Sequence, residues 1–268
     1  KNFYKVRTYD IDETKCNSTH SQVCLESDII FMCLPTPMRK NGSCDTRILE
    51  SAIDNVYDEC CKRGIFPILV IKSTIPPGTT KRINSKYKDM TVLFSPEFLT
   101  EANSFEDFKN QDRIIIGSHD DTIESALKVR KMFKKVFPPN YTETIIVNSD
   151  EAEMCKYFIN CFLASKVTFA NQMFDICQSS EVDYNSVVDL ALKDKRIGRS
   201  HLMVPGPDGD RGFGGHCFPK DLAAMIKFGT DNNVSHSSSF LKEVEDYNNL
   251  VRTNKDWESM KGRAVSDD

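Results

Sequence analysis

No stretch of this 268-residue chain approaches the roughly 20 consecutive apolar residues that a bilayer-spanning helix needs. The first residues also lack the charged-then-apolar order of an export signal. Both absences predict a soluble protein. No basic stripe is present: 35 Lys and Arg are scattered among 39 Asp and Glu, for a net charge of -4, which argues against a nucleic acid or an anionic membrane as partner. An anionic small substrate must therefore be gripped locally. The five histidines, His20, His119, His201, His216 and His236, are dispersed, and no Cys/His pair has zinc-ligand spacing, so no metal is expected. A disulfide scaffold is missing as well, because the ten cysteines are irregularly spaced and fall mostly in apolar runs such as 29–34 and 154–163. Nine of them read as reduced, mostly buried packing residues, which points to a reducing cytoplasm. No repeat or low-complexity tract interrupts the chain.

What is there is an alternation. Short apolar or β-branched runs at 5–9, 28–34, 67–72, 91–94, 113–116 and 144–147 read as strands buried on both faces. Amphipathic segments at 46–63 and 122–137 lie between them, so the first part predicts an α/β, Rossmann-like, doubly wound parallel sheet. After Asp150 the pattern changes. Residues 151–179 contain no Pro or Gly and are apolar nearly all round, which predicts a central buried helix, and further helical stretches follow at 184–193, 219–228 and from 238 to about 257. The expected domains are 1–149, a dinucleotide-binding sheet, and 150–268, an all-helical domain.

In open parallel sheets, ligands sit beyond the carboxyl ends of the strands. Here those ends carry Thr36-Pro37, Lys72-Ser73-Thr74 and Ser95-Pro96-Glu97. Such residues also terminate strands for purely structural reasons, but three successive strands ending this way converge on one rim. Asp10 closes the first run, where a dinucleotide-binding unit places an acid for the ribose hydroxyls, although an aspartate there also serves simply as a turn residue. The G-x-G-x-x-G loop that would precede it by about 20 residues falls before the first residue, and the expectation is that the sequence lacks its true start.

The richest segment is Gly212-Phe213-Gly214-Gly215-His216-Cys217-Phe218-Pro219-Lys220-Asp221. Its glycines free backbone N–H groups to approach a ligand, and Pro219 suits a first helical turn, which puts Cys217 at a helix N-terminus. That position and the nearby Lys220 should favour a nucleophilic thiolate, with the Asp221 carboxylate about one turn on to manage protons. Lys156 and Asn160, four apart on the long helix, share one face, either as a solvated pair or as an oxyanion site.

Together these residues resemble the UDP-glucose/GDP-mannose dehydrogenase family. Its hallmarks appear as Pro35-Thr36-Pro37, Lys72-Ser73-Thr74-Ile75-Pro76, Ser95-Pro96-Glu97-Phe98-Leu99-x-Glu101, Asp112-Arg113, Arg196-Ile197-Gly198 and the Gly214 to Asp221 segment. The resemblance implies an NAD-dependent enzyme that oxidises a sugar 6-hydroxyl twice through a thioester on Cys217, UDP-glucose to UDP-glucuronate by family frequency. It further implies that Asp221 assists proton transfer, Lys156 and Asn160 stabilise an oxyanion, and Thr74 and Glu97 position water. Asp10 and Lys15 would contact the ribose side of NAD, and Thr36, Ser73 and Glu101 the nicotinamide side. Phe98, Leu99, Phe213, Gly214 and Gly215 would contact substrate, and Arg196 would reach substrate in the neighbouring subunit of a homodimer built through the helical domain. Two departures stand out, the missing phosphate loop and the missing C-terminal nucleotide-binding domain. The segment 205–211, with Asp208 and Asp210, is expected to reshape the sugar pocket. The alternatives are a UDP-N-acetylhexosamine or GDP-mannose dehydrogenase, a single-step hydroxyacid dehydrogenase of the 6-phosphogluconate type, against which Cys217 argues, and an inactive relative serving as a binding or assembly module.

Overall fold

The computed structural model describes residues 3–99, 103–137 and 142–267. They form two compact units, Lys1–Thr36 with Thr46–Lys156, and Pro37–Asp45 with Tyr157–Asp268.

The first unit is built on one sheet with strands in sequence order: β1 Ile29–Met32, β2 Ile68–Ile71, β3 Val92–Phe94, β4 Arg113–Ser118 and β5 Glu143–Asn148. Successive side chains of a strand point to opposite faces, and the packing follows that rule. Leu69, Ile71, Val92, Phe94 and Ile115 pack with helix α2 (Arg47–Cys61) through Leu49, Ile53, Val56 and Cys60. Their neighbours Val70, Leu93, Ile114 and Ile116 pack with helix α5 (Ile123–Val136) through Ala126, Val129 and Phe133. Helices thus cover both faces, as the alternating pattern predicts. Shorter helices α1 (His20–Glu26), α3 (Thr79–Lys86) and α4 (Ser104–Lys109) complete the unit.

Three expectations are corrected. The run 5–9 joins no ladder: the Thr8 N–H and the Val6 and Thr8 carbonyls are taken by Asn17, so its backbone groups are satisfied locally. The sheet is not wholly parallel. β1, β2 and β3 are parallel, but β4 meets β3 antiparallel at Phe94 and Gly117 before β5 pairs parallel to β4. Among the described residues, the connection into β4 holds the six-residue α4 and no other helix, and none of α4 is buried, so no described crossover helix packs there to return the chain in the parallel sense. Burial on both faces is confined to β2, β3 and β4; β1 and β5 are half-exposed because an edge strand has a neighbour on one side only.

Gly117 of β4 lies where a Cβ would stand 2.8 Å from Ser149 Cα and 2.9 Å from Ala152 Cβ, so only glycine allows the 31-residue helix α6 (Ser149–Ser179) to start this close to the sheet. Residues of α6 up to Lys156 belong to the first unit and those from Tyr157 to the second.

In the second unit, α6 is joined by α7 (Tyr184–Ala191), α8 (Phe218–Asp231) and α9 (Ser235–Val251). Cys161, Ala164, Phe213, Leu222 and Val244 form one apolar cluster, and Ala170, Cys177, Tyr184 and Val204 another. α6 is not buried all round: Phe158, Phe162, Phe169 and Ile176 are between 55% and 69% exposed, at spacings that align them along the helix. α9 ends at Val251, short of the expected 257, because Arg252 turns to extended backbone. The excursion 37–45 pairs Met38 antiparallel with Cys44 and parallel with Val265, with Ser266 N donating to Met38 O. No disulfide links any of the ten cysteines; Cys24, Cys60, Cys161 and Cys177 are buried, but Cys33 and Cys61 are exposed rather than packed. Among the described residues, no helix is long and apolar enough to cross a membrane.

Candidate active site

The strand ends of the first unit are cross-tied through their backbones. Beyond β1, the buried Thr36 donates its Oγ1 to Thr74 O at 2.7 Å, and Ser73 Oγ donates to Leu34 O at 2.6 Å while accepting from Leu34 N at 2.9 Å. These hydroxyls hold the β1 and β2 ends in register. The turn after β3 is gripped by two ammonium groups. Lys156 Nζ donates to Glu97 O at 2.7 Å, and Lys72 Nζ donates to Pro96 O at 3.2 Å. The Phe98 ring lies against Lys156 at 5.4 Å and against the Arg113 guanidinium at 4.6 Å. The Glu97 side chain is exposed, Leu99 is partly buried, and Glu101 lies outside the described residues.

Lys72 is electrostatically strained in this position. Burial pushes its ammonium down to about 8, helped by repulsion from Lys156 and opposed by Glu97 and Cys33. The folded pKa lies below the unfolded one, so the folded state holds its proton less tightly, and stability from this residue rises with pH between about 8 and 10.5. At pH 7 the charged form is a net cost. Lys72→Met should therefore raise unfolding stability at pH 7 by about 2 kcal/mol, with the gain shrinking by pH 10. Urea unfolding of both proteins at the two pH values tests this; a gain that does not vary with pH refutes the electrostatic cause.

Asp10 lies on an exposed loop and Lys15 ends the exposed 3-10 turn Glu13–Lys15. Asp10 Oδ1 accepts from Asp12 N at 2.9 Å, and Lys15 pairs with Asp12 at 3.3 Å. Ile11, next to Asp10, is 98% exposed. An accepting carboxylate beside an exposed aliphatic side chain suits a ribose diol and the base attached to it.

In the second unit, Cys217 is the N-cap of α8, with Pro219 in the first turn. One turn on, the buried Asp221 receives Asn160 Nδ2 on one oxygen and Lys220 Nζ on the other, each at 2.5 Å. Burial works against the Lys220 charge, but Asp221, Cys44 and Cys217 outweigh it and hold its pKa up. A thiol, a carboxylate, an ammonium and an amide therefore cluster at one helix start, a set able to ionise the thiol and to relay protons.

The glycine loop before Cys217 is held from α9 and just beyond it. Asn248 accepts from Phe213 N at 2.7 Å and donates to Phe213 O at 3.0 Å; Asp256 accepts from Gly215 N at 3.0 Å. A Cβ on Gly214 would meet the side-chain ends of Arg252 and Asp256, so glycine leaves room for both to stand against the loop. Arg252 pairs with Asp208 at 2.6 Å and Asp210 at 3.5 Å. The expectation that these two aspartates reshape a sugar pocket is corrected: their carboxylates are turned to Arg252 and, for Asp210, to the Thr253 and Asn254 N–H groups. Arg196 is exposed and paired with Asp194, so within this chain it joins neither cluster.

The sequence matches the NAD binding domain of the UDP-glucose/GDP-mannose dehydrogenase family over residues 7–137 and the central domain of that family over residues 150–250. The chain belongs to the UDP-glucose/GDP-mannose dehydrogenase family. It is 31% identical over 264 residues to a UDP-glucose 6-dehydrogenase of Rickettsia bellii, covering 96% of this chain and 56% of that protein. It is 33% identical over 208 residues to the UDP-glucose 6-dehydrogenase TuaD of Bacillus subtilis, covering 75% and 42%. The solved UDP-glucose dehydrogenase of Pyrobaculum islandicum superposes with a TM-score of 0.75 at 33% identity, over 85% of this chain and 52% of that one. The chain thus spans about half the length of these relatives. Residues 7–137 match the domain that binds NAD in this family, so NAD is the cofactor.

Sequence reasoning leaves Asn248, Arg252 and Asp256 out of the site. The signal is present in the spacing, since the three stand four apart, but polar residues at that spacing also describe a solvated helix face, and α9 in fact ends before Arg252.

Proposed function

We propose that the protein containing this chain oxidises a nucleotide sugar twice at its 6-position, most simply UDP-glucose to UDP-glucuronate, through a thioester on Cys217. The observation that carries the reading is the hydrogen-bonded row Asn160–Asp221–Lys220 behind Cys217 at the start of α8.

NAD supplies the oxidising power by accepting a hydride in each oxidation. The chain's own residues do the rest. Asp221 takes the proton of the 6-hydroxyl as the aldehyde forms, aided by the neighbouring Lys220 and Asn160. The Cys217 thiolate, favoured by the helix N-terminus and the Lys220 charge, adds to the aldehyde carbon to give a thiohemiacetal. Lys156 and Asn160 stabilise the oxyanion, and after the second oxidation Thr74 and Glu97 position the water that hydrolyses the thioester. Asp10 with Lys15 holds the ribose side of NAD; Thr36, Ser73 and Glu101 are assigned to the nicotinamide side. Phe98 and Leu99 in the first unit, and Phe213, Gly214 and Gly215 in the second, are the substrate contacts of this reading. The exposed stripe Phe158, Phe162, Phe169 and Ile176 supports a homodimer through α6, which would let the exposed Arg196 serve the partner's substrate. A reducing, cytoplasmic setting suits a catalytic thiol.

Assaying NAD reduction and acid product separately with UDP-glucose, UDP-N-acetylmannosamine and GDP-mannose tests the reading. Two NADH per acid from UDP-glucose is the expected result; the same ratio from another sugar reassigns the substrate, and no acid from any of them overturns the proposal. Lys156→Ala should lower turnover about 100-fold while leaving the NAD dissociation constant within about twofold, because its charge acts on the oxyanion. An unchanged turnover removes Lys156 from the mechanism.

A further inference from the structure

One buried acid has no part in the chemistry above. Glu153 stands one turn before Lys156 on α6 and is fully buried. Its Oε2 accepts from Gly78 N at 2.6 Å, and its Oε1 accepts from Thr80 N at 2.9 Å and from Thr80 Oγ1 at 2.5 Å. These donors lie at the start of α3, just after the segment Thr74-Ile75-Pro76-Pro77 that leaves β2. Thr74 is itself tied by its carbonyl to Thr36. The first turns of α6 therefore grip two strand-end loops at once: Glu153 takes the loop after β2, and Lys156 takes the turn after β3 through Glu97 O.

A carboxylate in this place is unfavourable. Burial raises Glu153 to about 7, against the pull of the three donors and with the Asp150 charge adding to the rise. An α-helix start needs far less than a buried acid from a distant helix, since a local Ser, Thr or Asp would cap it. Costly groups are retained where they hold a site in place.

We propose that Glu153 is a positioning residue for thioester hydrolysis, fixing the loop that carries Thr74 against the helix that carries Lys156. This rests on the dehydrogenase reading above. In the step concerned, water adds to the thioester carbonyl, the carbon–sulfur bond breaks, the Cys217 thiolate leaves, and the carboxylate product forms with release of a proton. Thr74 and Glu97 sit on the two loops that the clamp joins, so loosening it should slow this step more than substrate or cofactor binding.

Glu153→Gln keeps the shape but sets an NH2 group against backbone donors, leaving one of them unsatisfied. The expected result is a kcat lower by about tenfold, with KM for the nucleotide sugar and Kd for NAD within about twofold, and accumulation of acylated Cys217 visible by intact mass under steady turnover. Hydrogen exchange at Gly78 and Thr80 should quicken about tenfold while other helix starts stay unchanged. Thr80→Val removes one donor only; it should move all these readouts the same way by less, and it serves if the first variant does not fold. Faster exchange with wild-type kcat and no acylated enzyme makes Glu153 a plain structural cap and overturns the inference. Failure of the underlying reading looks different, because wild-type protein would then form no acid from any nucleotide sugar.

Discussion

Cys217→Ser is expected to abolish acid formation, lowering its rate by about a thousandfold or more, while the protein stays folded. A cysteine thiol ionises near pH ~8.5, and both the start of α8 and the buried Lys220 charge favour the anion further. A serine hydroxyl stays protonated in the same field, so it offers neither the nucleophile nor a thioester leaving group. Folding should not suffer, because serine is nearly isosteric and is among the preferred residues at a helix N-cap, the place Cys217 occupies. Acid product should be quantified alongside circular dichroism and thermal unfolding. Normal acid output from folded Cys217→Ser protein would eliminate the covalent mechanism, whereas loss of acid with loss of fold would point to packing.

Arg252→Ala carries the largest expected structural penalty, about 3 kcal/mol of unfolding free energy, with loss of activity alongside. The Arg252 side chain is only 2% exposed and faces Asp208, Asp210 and Asp256. Removing it leaves carboxylates without their counter-charge, and Asp256 also holds Gly215 N two residues before Cys217. The outer pair with Asp208 is half-exposed and contributes least, since water screens it. The cost comes from the inner side of the cluster and from the void left beside Gly214. Lysine should restore little, because a point charge cannot reproduce the fork that reaches several carboxylates. Urea unfolding of wild type, Arg252→Ala and Arg252→Lys measures this; a change below about 0.5 kcal/mol would mean that the cluster is solvated in solution.

Much of the first unit is readable from local pattern. The runs that form β2 and β3, and Ile114 to Ile116 of β4, are apolar at every position because both faces are covered, and α2 and α5 carry their apolar residues at helical spacing because one face is. The same reasoning fails at 5–9, where β-branched and aromatic residues join no ladder among the described residues and Asn17 supplies hydrogen bonds instead. It also fails along α6, where apolar residues all round suggest a buried helix but Phe158 and Phe162 stand in solvent with their rings stacked. Hydrophobicity reports that a face needs covering, and does not say whether this chain or another molecule covers it.

In the candidate site, Cys217, Lys220 and Asp221 are visible together because one helical turn of sequence holds all three. Their partner Asn160 is visible only as a polar residue on an apolar helix; that it donates to Asp221 depends on how α6 and α8 pack. Asp208 and Asp210 are misread for the same reason, since the guanidinium that claims them belongs to a distant part of the chain. Glu153 is invisible in the sequence, one acid among many, until the fold removes it from water and sets three donors around it.

By itself, then, the sequence determined most element types, the faces that need covering and the reactive helix start, because these depend on side-chain periodicity and on neighbours within about one helical turn. Tertiary structure alone decided the antiparallel meeting of β3 with β4, the placement of 37–45 beside Val265, and the pairing of each buried charge. Those are relations between distant segments, and their energies come from desolvation and long-range contact that no local pattern encodes.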